Sequence, residues 1–348
     1  MNKNLETENP QSGDKTGSLG KSTTRQWLGY FLKMLVAGGL LFALYKLEII
    51  SISEMARAVS DPVNIFSVGV SVFSMSLVTV YRWRMLLASQ GLVLPFFSLF
   101  QVYYISLAYT PILPGGIGGD AMRIAYTVRL SSGNEVKAVV SIFVDRLASL
   151  SGLLLASFIM VIPYIPRAME GSTTLLLGAL FLGGVVLGST LFFALALKSN
   201  RRFGLTDWMR NRFTNRLAQF VIRGFDSLAS YRGHPKVIVA AILLSTINQL
   251  FVIFAIVIIA ARLGFSGPGI TDIGIATTLT QIANVLPLTP GGIGVGEAAF
   301  NQLLAILTAE NVALGYGSIF LTYRLLSIIM TLPGLLCYLM FSTVKKPE

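Results

Sequence analysis

"LPGGIGGDA", Leu113 to Ala121, and "TPGGIGVGEA", Thr289 to Ala298, are the stretches whose reading decides this fold. Each sets one proline and four glycines inside a strongly apolar chain. Proline removes a backbone donor and breaks a helix, and hydrocarbon offers the freed groups no hydrogen bonds. A second pair of blocks follows in the same order: "SIFVDRLAS" at Ser141 to Ser149 and "SIFLTYRLLS" at Ser318 to Ser327. Proline to arginine is 32 residues in the first copy (Pro114 to Arg146) and 34 in the second (Pro290 to Arg324). Two matched blocks in register make an internal repeat.

Composition supplies the setting. Of 348 residues, 54% are hydrophobic and only 12% charged, and the mean hydropathy is +0.71. These values describe a multi-pass membrane protein. Apolar runs long enough to be candidate spans cover Trp27 to Leu47, Val63 to Leu86, Phe96 to Leu113, Glu135 to Ile162, Thr173 to Leu197, Val237 to Ala261, Ile273 to Leu288 and Val312 to Phe341. Residues 1–26 read as a disordered cytoplasmic tail and 343–348 as a second short tail. With one cysteine, Cys337, and one histidine, His234, no disulfide framework, Cys/His metal site or Cys-His nucleophile pair is expected. No cofactor is expected either: no Lys-Ser/Thr follows the glycines and no strand precedes them, so the motif is a poor nucleotide loop.

The net charge of +11 is uneven, since nine Lys/Arg lie between Lys198 and Lys236. In a membrane protein such a segment reads as a cytoplasmic one drawn to anionic headgroups, not as a nucleic-acid site. Apolar residues from Leu205 to Leu228 recur every three or four positions there, the pattern of a helix lying in the interface.

Charge also orients the chain. If all eight runs cross, the basic residues divide 14 inside to 10 outside. If Phe96 to Leu113 and Ile273 to Leu288 instead dip in, break at the motif and return, the division is 20 to 4. The expected fold is therefore all-α, with six crossings and two re-entrant helical hairpins. The first half is 27–197, with its hairpin near 96–130; the basic segment is 198–236; the second half is 237–342, with its hairpin near 273–310. Both termini face the cytoplasm. Three crossings separate the hairpins, so the repeats are inverted, a plan on which secondary transporters build midplane sites. In this reading Arg82 and Arg84 mark the cytoplasmic border, and Arg123, Arg129 and Lys137 belong to a cytoplasmic stretch.

"YRWRMLL" (Tyr81 to Leu87), "LPGGIGGDAMRIAYTVR" (Leu113 to Arg129), "VDRLASLSGLL" (Val144 to Leu154) and "PGGIGVGE" (Pro290 to Glu297) resemble the lysylphosphatidylglycerol synthase transmembrane, or flippase-like, family. The resemblance runs from about Trp27 to Phe341. In bifunctional members a similar membrane region moves aminoacylated phospholipid between leaflets while a separate soluble domain attaches the amino acid. This chain stops at Glu348, so lysyl transfer is not expected of it. The resemblance implies handling of a membrane lipid, an anionic phospholipid or a polyprenyl-phosphate type, with a separate lipid-modifying enzyme as a possible partner.

The candidate binding residues follow from the repeat. Gly115, Gly116, Gly118 and Gly119 precede or open a helix whose free N–H groups and positive end suit an anionic headgroup, and Gly291, Gly292 and Gly294 are their counterparts. The alternative is that small residues merely let helices pack closely. Arg146 and Arg324 sit about a dozen residues inside apolar runs, where a charge costs at least ~2.5 kcal/mol. They are either two phosphate ligands, one per half, or structural partners, Arg146 of Asp120 or Asp145 and Arg324 of Glu297. Asp120 and Glu297 are either helix caps or working carboxylates, Glu297 taking up a proton as the site changes sides. Tyr104, Tyr109, Thr280, Gln281 and Asn284 suit either headgroup contact or interhelical hydrogen bonds. Transport of an anionic lipid without catalysis is the leading expectation. A membrane enzyme using Asp120, Asp145 and Glu297, or a non-transporting delivery partner, are the rivals.

Overall fold

The computed structural model describes residues 35, 38–39, 41–47, 49–110, 118–131, 134–166, 173–198, 227–265, 267–285, 289, 292–308 and 315–342. The tails, Gly115, Gly116 and Gly291, and most of the basic segment lie outside them. In the described residues every regular element is helical. In chain order they are α1 (Ile52–Ser60), α2 (Pro62–Ser89), α3 (Phe96–Tyr109), α4 (Gly118–Leu130), α5 (Glu135–Val161), α6 (Thr173–Lys198), α7 (Pro235–Arg262), α8 (Ile270–Val285), α9 (Val295–Thr308), α10 (Gly317–Thr331) and α11 (Pro333–Ser342).

Among the described residues four stretches are long and apolar enough to cross a membrane: α2, α5 with the turn after it (Glu135–Tyr164), α7, and α10 running on into α11 (Gly317–Leu339). The run read as one segment to Phe341 is thus two helices with a break at Pro333, whose missing N–H cannot continue the ladder.

The helix starts follow local chemistry. Asp61 caps α2 by accepting the Val63 N–H (2.9 Å), with Pro62 at the first helical position, where an N–H would be unpaired anyway. Pro235 opens α7 in the same way. Within the bundle, α2 and α7 form the central pair, and α5 and α10 pack against both. There is little hydrophobic drive between helices in lipid, so small and polar side chains bring them together. Ser71 of α2 donates to the Phe251 carbonyl of α7. Gly152 of α5 lies so close to α7 that a Cβ there would come 2.9 Å from the Ile242 carbonyl oxygen.

Two tight pairs of short helices sit on this frame. In the first, α3 packs on α4; Gly119 has no room for a Cβ, which would lie 2.6 Å from the Ser106 carbonyl oxygen, so α4 touches α3 backbone to backbone. In the second, α8 packs on α9, and the break between them uses Gly292 and Gly294 at φ +71° and +83°, a region that other residues enter at a cost.

Cross-links show which ends share a face. Ser51 N–H donates to Ser318 Oγ (2.9 Å), and Arg262 Nε to Asp61 Oδ2 (2.7 Å), at one end. Gln90 Nε2 donates to Ser230 Oγ (2.8 Å) at the other. The Arg262 hydrogen bond, helped by the Val63 N–H, holds the Asp61 carboxyl below its usual range. A depressed carboxylate contributes stability above its unfolded pKa, near 4, and that contribution is lost as pH falls through the folded value. Thermal unfolding of Asp61→Asn should therefore lie slightly below wild type at neutral pH, with the gap starting to narrow near pH 4 and closing only below the depressed folded value. A gap that persists in acid would show that the bridge is not its source.

Candidate functional site

Asp145 is 1% exposed and organises the larger ion cluster. It sits about 15 Å along α5 from Glu135, at 1.5 Å per residue. One oxygen accepts from Arg82 Nε of α2 (2.8 Å) and the other from Arg123 Nη1 of α4 (2.8 Å). Arg82 spends its remaining donors on Ser245 Oγ of α7 and Ser149 Oγ of α5 (2.8 Å). This is a correction to the sequence reading: Arg82 is no border residue but 3% exposed and fully engaged inside the bundle. Arg123, expected on an exposed stretch, is likewise buried, at 2% exposure.

Arg123 differs from Arg82 in one respect. Its guanidinium lies over Trp83, 3.8 Å from the ring centroid, where the ring's negative face stabilises it. Its Nε and Nη2 are buried and make no hydrogen bond. A cavity of about 230 Å³ opens beside it, bordered also by Arg82, Arg146, Tyr103, Asn248 and Gln249. Arg146 pairs with Asp120, the Nε to Oδ1 distance being 3.0 Å, and so takes the first of the two partners expected for it. Its side chain is 56% exposed. Three guanidiniums thus meet two carboxylates at this cavity, an excess of one positive charge.

The second cluster gathers around Glu297, which is fully buried. Its Oε2 accepts the Gly294 N–H (2.5 Å), closing the break before α9 as a cap would. Its Oε1 lies 3.1 Å from Arg324 Nε, and the Arg324 guanidinium approaches the Phe320 ring at 5.4 Å. Gly296 is what lets these groups meet: a Cβ there would stand 2.5 Å from Arg324 Nη2 and 2.8 Å from the Asn284 amide. Both arginines singled out by the repeat are therefore paired with the carboxylate beside their own glycine motif.

A polar seam connects the clusters. On α7, Ser245, Asn248 and Gln249 share one face, and on α8, Thr277, Thr280, Gln281 and Asn284 fall at the i, i+3, i+4 and i+7 positions of another. Asn248 donates to Thr79 of α2 (2.9 Å), and Gln281 to Gln249 (2.8 Å), which joins the faces. Asn248 Oδ1, Thr277 Oγ1, Thr280 Oγ1 and Asn284 Oδ1 are buried along it without a hydrogen bond. Tyr104 and Tyr109 stand elsewhere, Tyr104 tilted against Phe100 (4.8 Å) and Tyr109 edge-on to Tyr338 (5.6 Å).

An apolar groove of about 490 Å³ lies on the other side of α5 and α8, walled by residues such as Leu154, Phe181, Leu279, Ile282 and Leu303. It shares both helices with the polar groups: Leu154 follows Asp145 on α5 and Ile282 adjoins Gln281 on α8.

Missed from sequence were Arg82, Arg123 and Asp145 acting as one unit. A usable signal was present for Arg123. Gly119, Arg123, Tyr126 and Thr127 fall at i, i+4, i+7 and i+8, and all four are buried on one face of α4.

No curated protein matches the chain. The family described as the lysylphosphatidylglycerol synthase TM region matches residues 30–334. Taken with the apolar helical bundle, that match places the chain in this family, whose members are multi-pass membrane proteins acting on lipids.

Proposed function

We propose that the protein moves an anionic lipid, a phospholipid or a lipid-linked intermediate of the polyprenyl-phosphate type, between leaflets by alternating access, as a transporter and not an enzyme. The observation that carries this reading is Arg123, a buried guanidinium with two unpaired nitrogens beside a polar cavity that holds an excess positive charge. A phosphate offers two oxygens to such a fork and supplies the missing charge. The apolar groove suits the hydrocarbon chain of the same lipid, since α5 borders both spaces.

The two-sided arrangement has support in the hairpin arms. They contain 14, 13, 16 and 14 residues, or about 20–24 Å at 1.5 Å per residue, short of the ~30 Å of hydrocarbon. Re-entrant hairpins answer that shortfall. The packing is also reciprocal: α5 of the first half packs on α8 of the second hairpin, while α11 of the second half packs on α3 of the first. Inverted halves around a central α2–α7 pair have this exchange, and alternating access needs it. In this arrangement Gly118, Gly119, Gly292 and Gly294 frame the headgroup path, with Arg146, Asp120, Arg324 and Glu297 along it.

Purified protein in liposomes, given acyl-labelled phosphatidylglycerol and a chemical quencher of the outer leaflet, tests the reading. Leaflet exchange of unaltered lipid is expected. A chemically changed lipid would mean an enzyme, and neither result would mean a delivery partner. Within the same assay Glu297→Gln is expected to exchange lipid at a rate that no longer responds to a pH gradient, while eluting as a single species on size exclusion. An unchanged response to the gradient removes Glu297 as the proton carrier.

A further inference from the structure

We infer that the headgroup accepted by the polar cavity is anionic and hydroxyl-bearing and carries no ammonium, so that the aminoacylated lipids for which the family is named are poor cargo here; this rests on the lipid-transport reading above.

The inference comes from what each polar group at the cavity has left to offer. An ammonium needs acceptors, and a carboxylate above all. Among the described residues the carboxylates of the two clusters are Asp145, Asp120 and Glu297, and each is held by arginine: Asp145 by Arg82 and Arg123, Asp120 by Arg146, and Glu297 by Arg324. To receive an ammonium, one of them would have to release a guanidinium into a low-dielectric interior. The incoming charge would also face three guanidiniums at one cavity. Like charges brought together in such a site cost several kcal/mol.

The groups with spare capacity ask for a different ligand. Arg123 Nε and Nη2 are charged donors, which suit phosphate oxygens. Across the cavity stands Asn248, whose Oδ1 is buried and unpaired. Thr79, Ser106 and Ser149 border the same space with hydroxyl groups. Ser106 and Ser149 already donate to the Tyr103 and Asp145 carbonyls, so a headgroup hydroxyl donates to their oxygens and to the amide oxygen, and, being uncharged, it is not repelled by the three guanidiniums as an ammonium is. The cavity's size agrees: about 230 Å³ is room for a group of roughly eight water volumes at ~30 Å³ each. A phosphate followed by a short polyol or a sugar has that combination, with the phosphate toward Arg123 on α4 and the hydroxyls toward Asn248 and Gln249 on α7.

Gln249→Glu provides the reverse test. The substitution is nearly isosteric, and the Oε1 that accepts from Gln281 stays, but it adds a carboxylate to the hydroxyl side of the cavity. Full-length protein in liposomes would be assayed with acyl-labelled phosphatidylglycerol and acyl-labelled lysylphosphatidylglycerol at equal mole fraction. Wild type is expected to exchange phosphatidylglycerol at least about ten-fold faster, and Gln249→Glu to shift that ratio about ten-fold toward the lysyl lipid. Asn248→Asp, which can still meet the Thr79 hydroxyl, serves as the second variant should Gln249→Glu not fold. Equal or faster exchange of the lysyl lipid by wild type overturns this inference and leaves transport standing. Exchange of neither lipid removes the transport reading, and this inference with it. A ratio unmoved in both folded variants overturns the assignment of the α7 side to the headgroup.

Discussion

Asp145→Asn is expected to destabilise the protein by about 3–5 kcal/mol, more than any other single change at the site. The carboxylate is 1% exposed and neutralises two arginines that are themselves 3% and 2% exposed. Asparagine keeps the shape and one acceptor but leaves both guanidiniums without a counter-charge in a medium where water cannot replace it. Breaking a buried pair costs far more than the pair contributes over an apolar substitute, because the orphaned charge bears the whole desolvation penalty. Thermal unfolding in detergent reads the effect. Adding Arg82→Gln to Asp145→Asn should restore part of the loss, since one of the two orphans is then removed, and the two changes should combine non-additively. An Asp145→Asn protein that unfolds within 1 kcal/mol of wild type would mean that the cluster is hydrated and that its three members do not depend on one another.

Why the sequence showed some of this and hid the rest can be traced to single residues. Arg146 and Arg324 were visible because each is a lone charge deep in an apolar run, and because the repeat places them at matching positions. Their partners, Asp120 and Glu297, were visible because each adjoins a glycine motif. Asp145 was obscured by its neighbour. Residues i and i+1 of a helix point about 100° apart, the angle set by 3.6 residues per turn, so Asp145 turns into the bundle toward Arg82 and Arg123 while Arg146 turns toward Asp120. Adjacent opposite charges read as one local pair when they serve two separate clusters. Arg82 was hidden by its place near the end of a hydrophobic run, where an arginine is usually a border residue, and Arg123 by lying between two runs; only the tertiary partner reveals otherwise. The helix starts at Pro62 and Pro235 were legible from local chemistry alone, whereas the break at Pro333 was lost because both sides of it are equally apolar.

The second large effect is functional. Arg123→Gln is expected to slow lipid exchange about 100-fold, the change given by loss of a buried charged hydrogen-bonding partner worth 2–5 kcal/mol. Arg123→Lys should fall between, near ten-fold, because an ammonium retains the charge but cannot present a planar fork to two phosphate oxygens or lie on Trp83 in the same way. Arg146→Gln provides the contrast. Its side chain is already paired with Asp120 and less enclosed, at 56% exposure, so it has less to offer a phosphate and the loss should stay within a few-fold. The comparison separates a ligand for the headgroup from a strut. If Arg123 only balances Asp145, then Arg123→Gln lowers the unfolding temperature while the folded fraction exchanges lipid at the wild-type rate. If Arg123 meets the phosphate, the folded fraction itself is slow, and raising the lipid mole fraction recovers part of the rate because affinity, not assembly, has been lost. Rates normalised to monodisperse protein from size exclusion therefore decide between the two roles, and a wild-type rate in Arg123→Gln would move the phosphate away from this cavity.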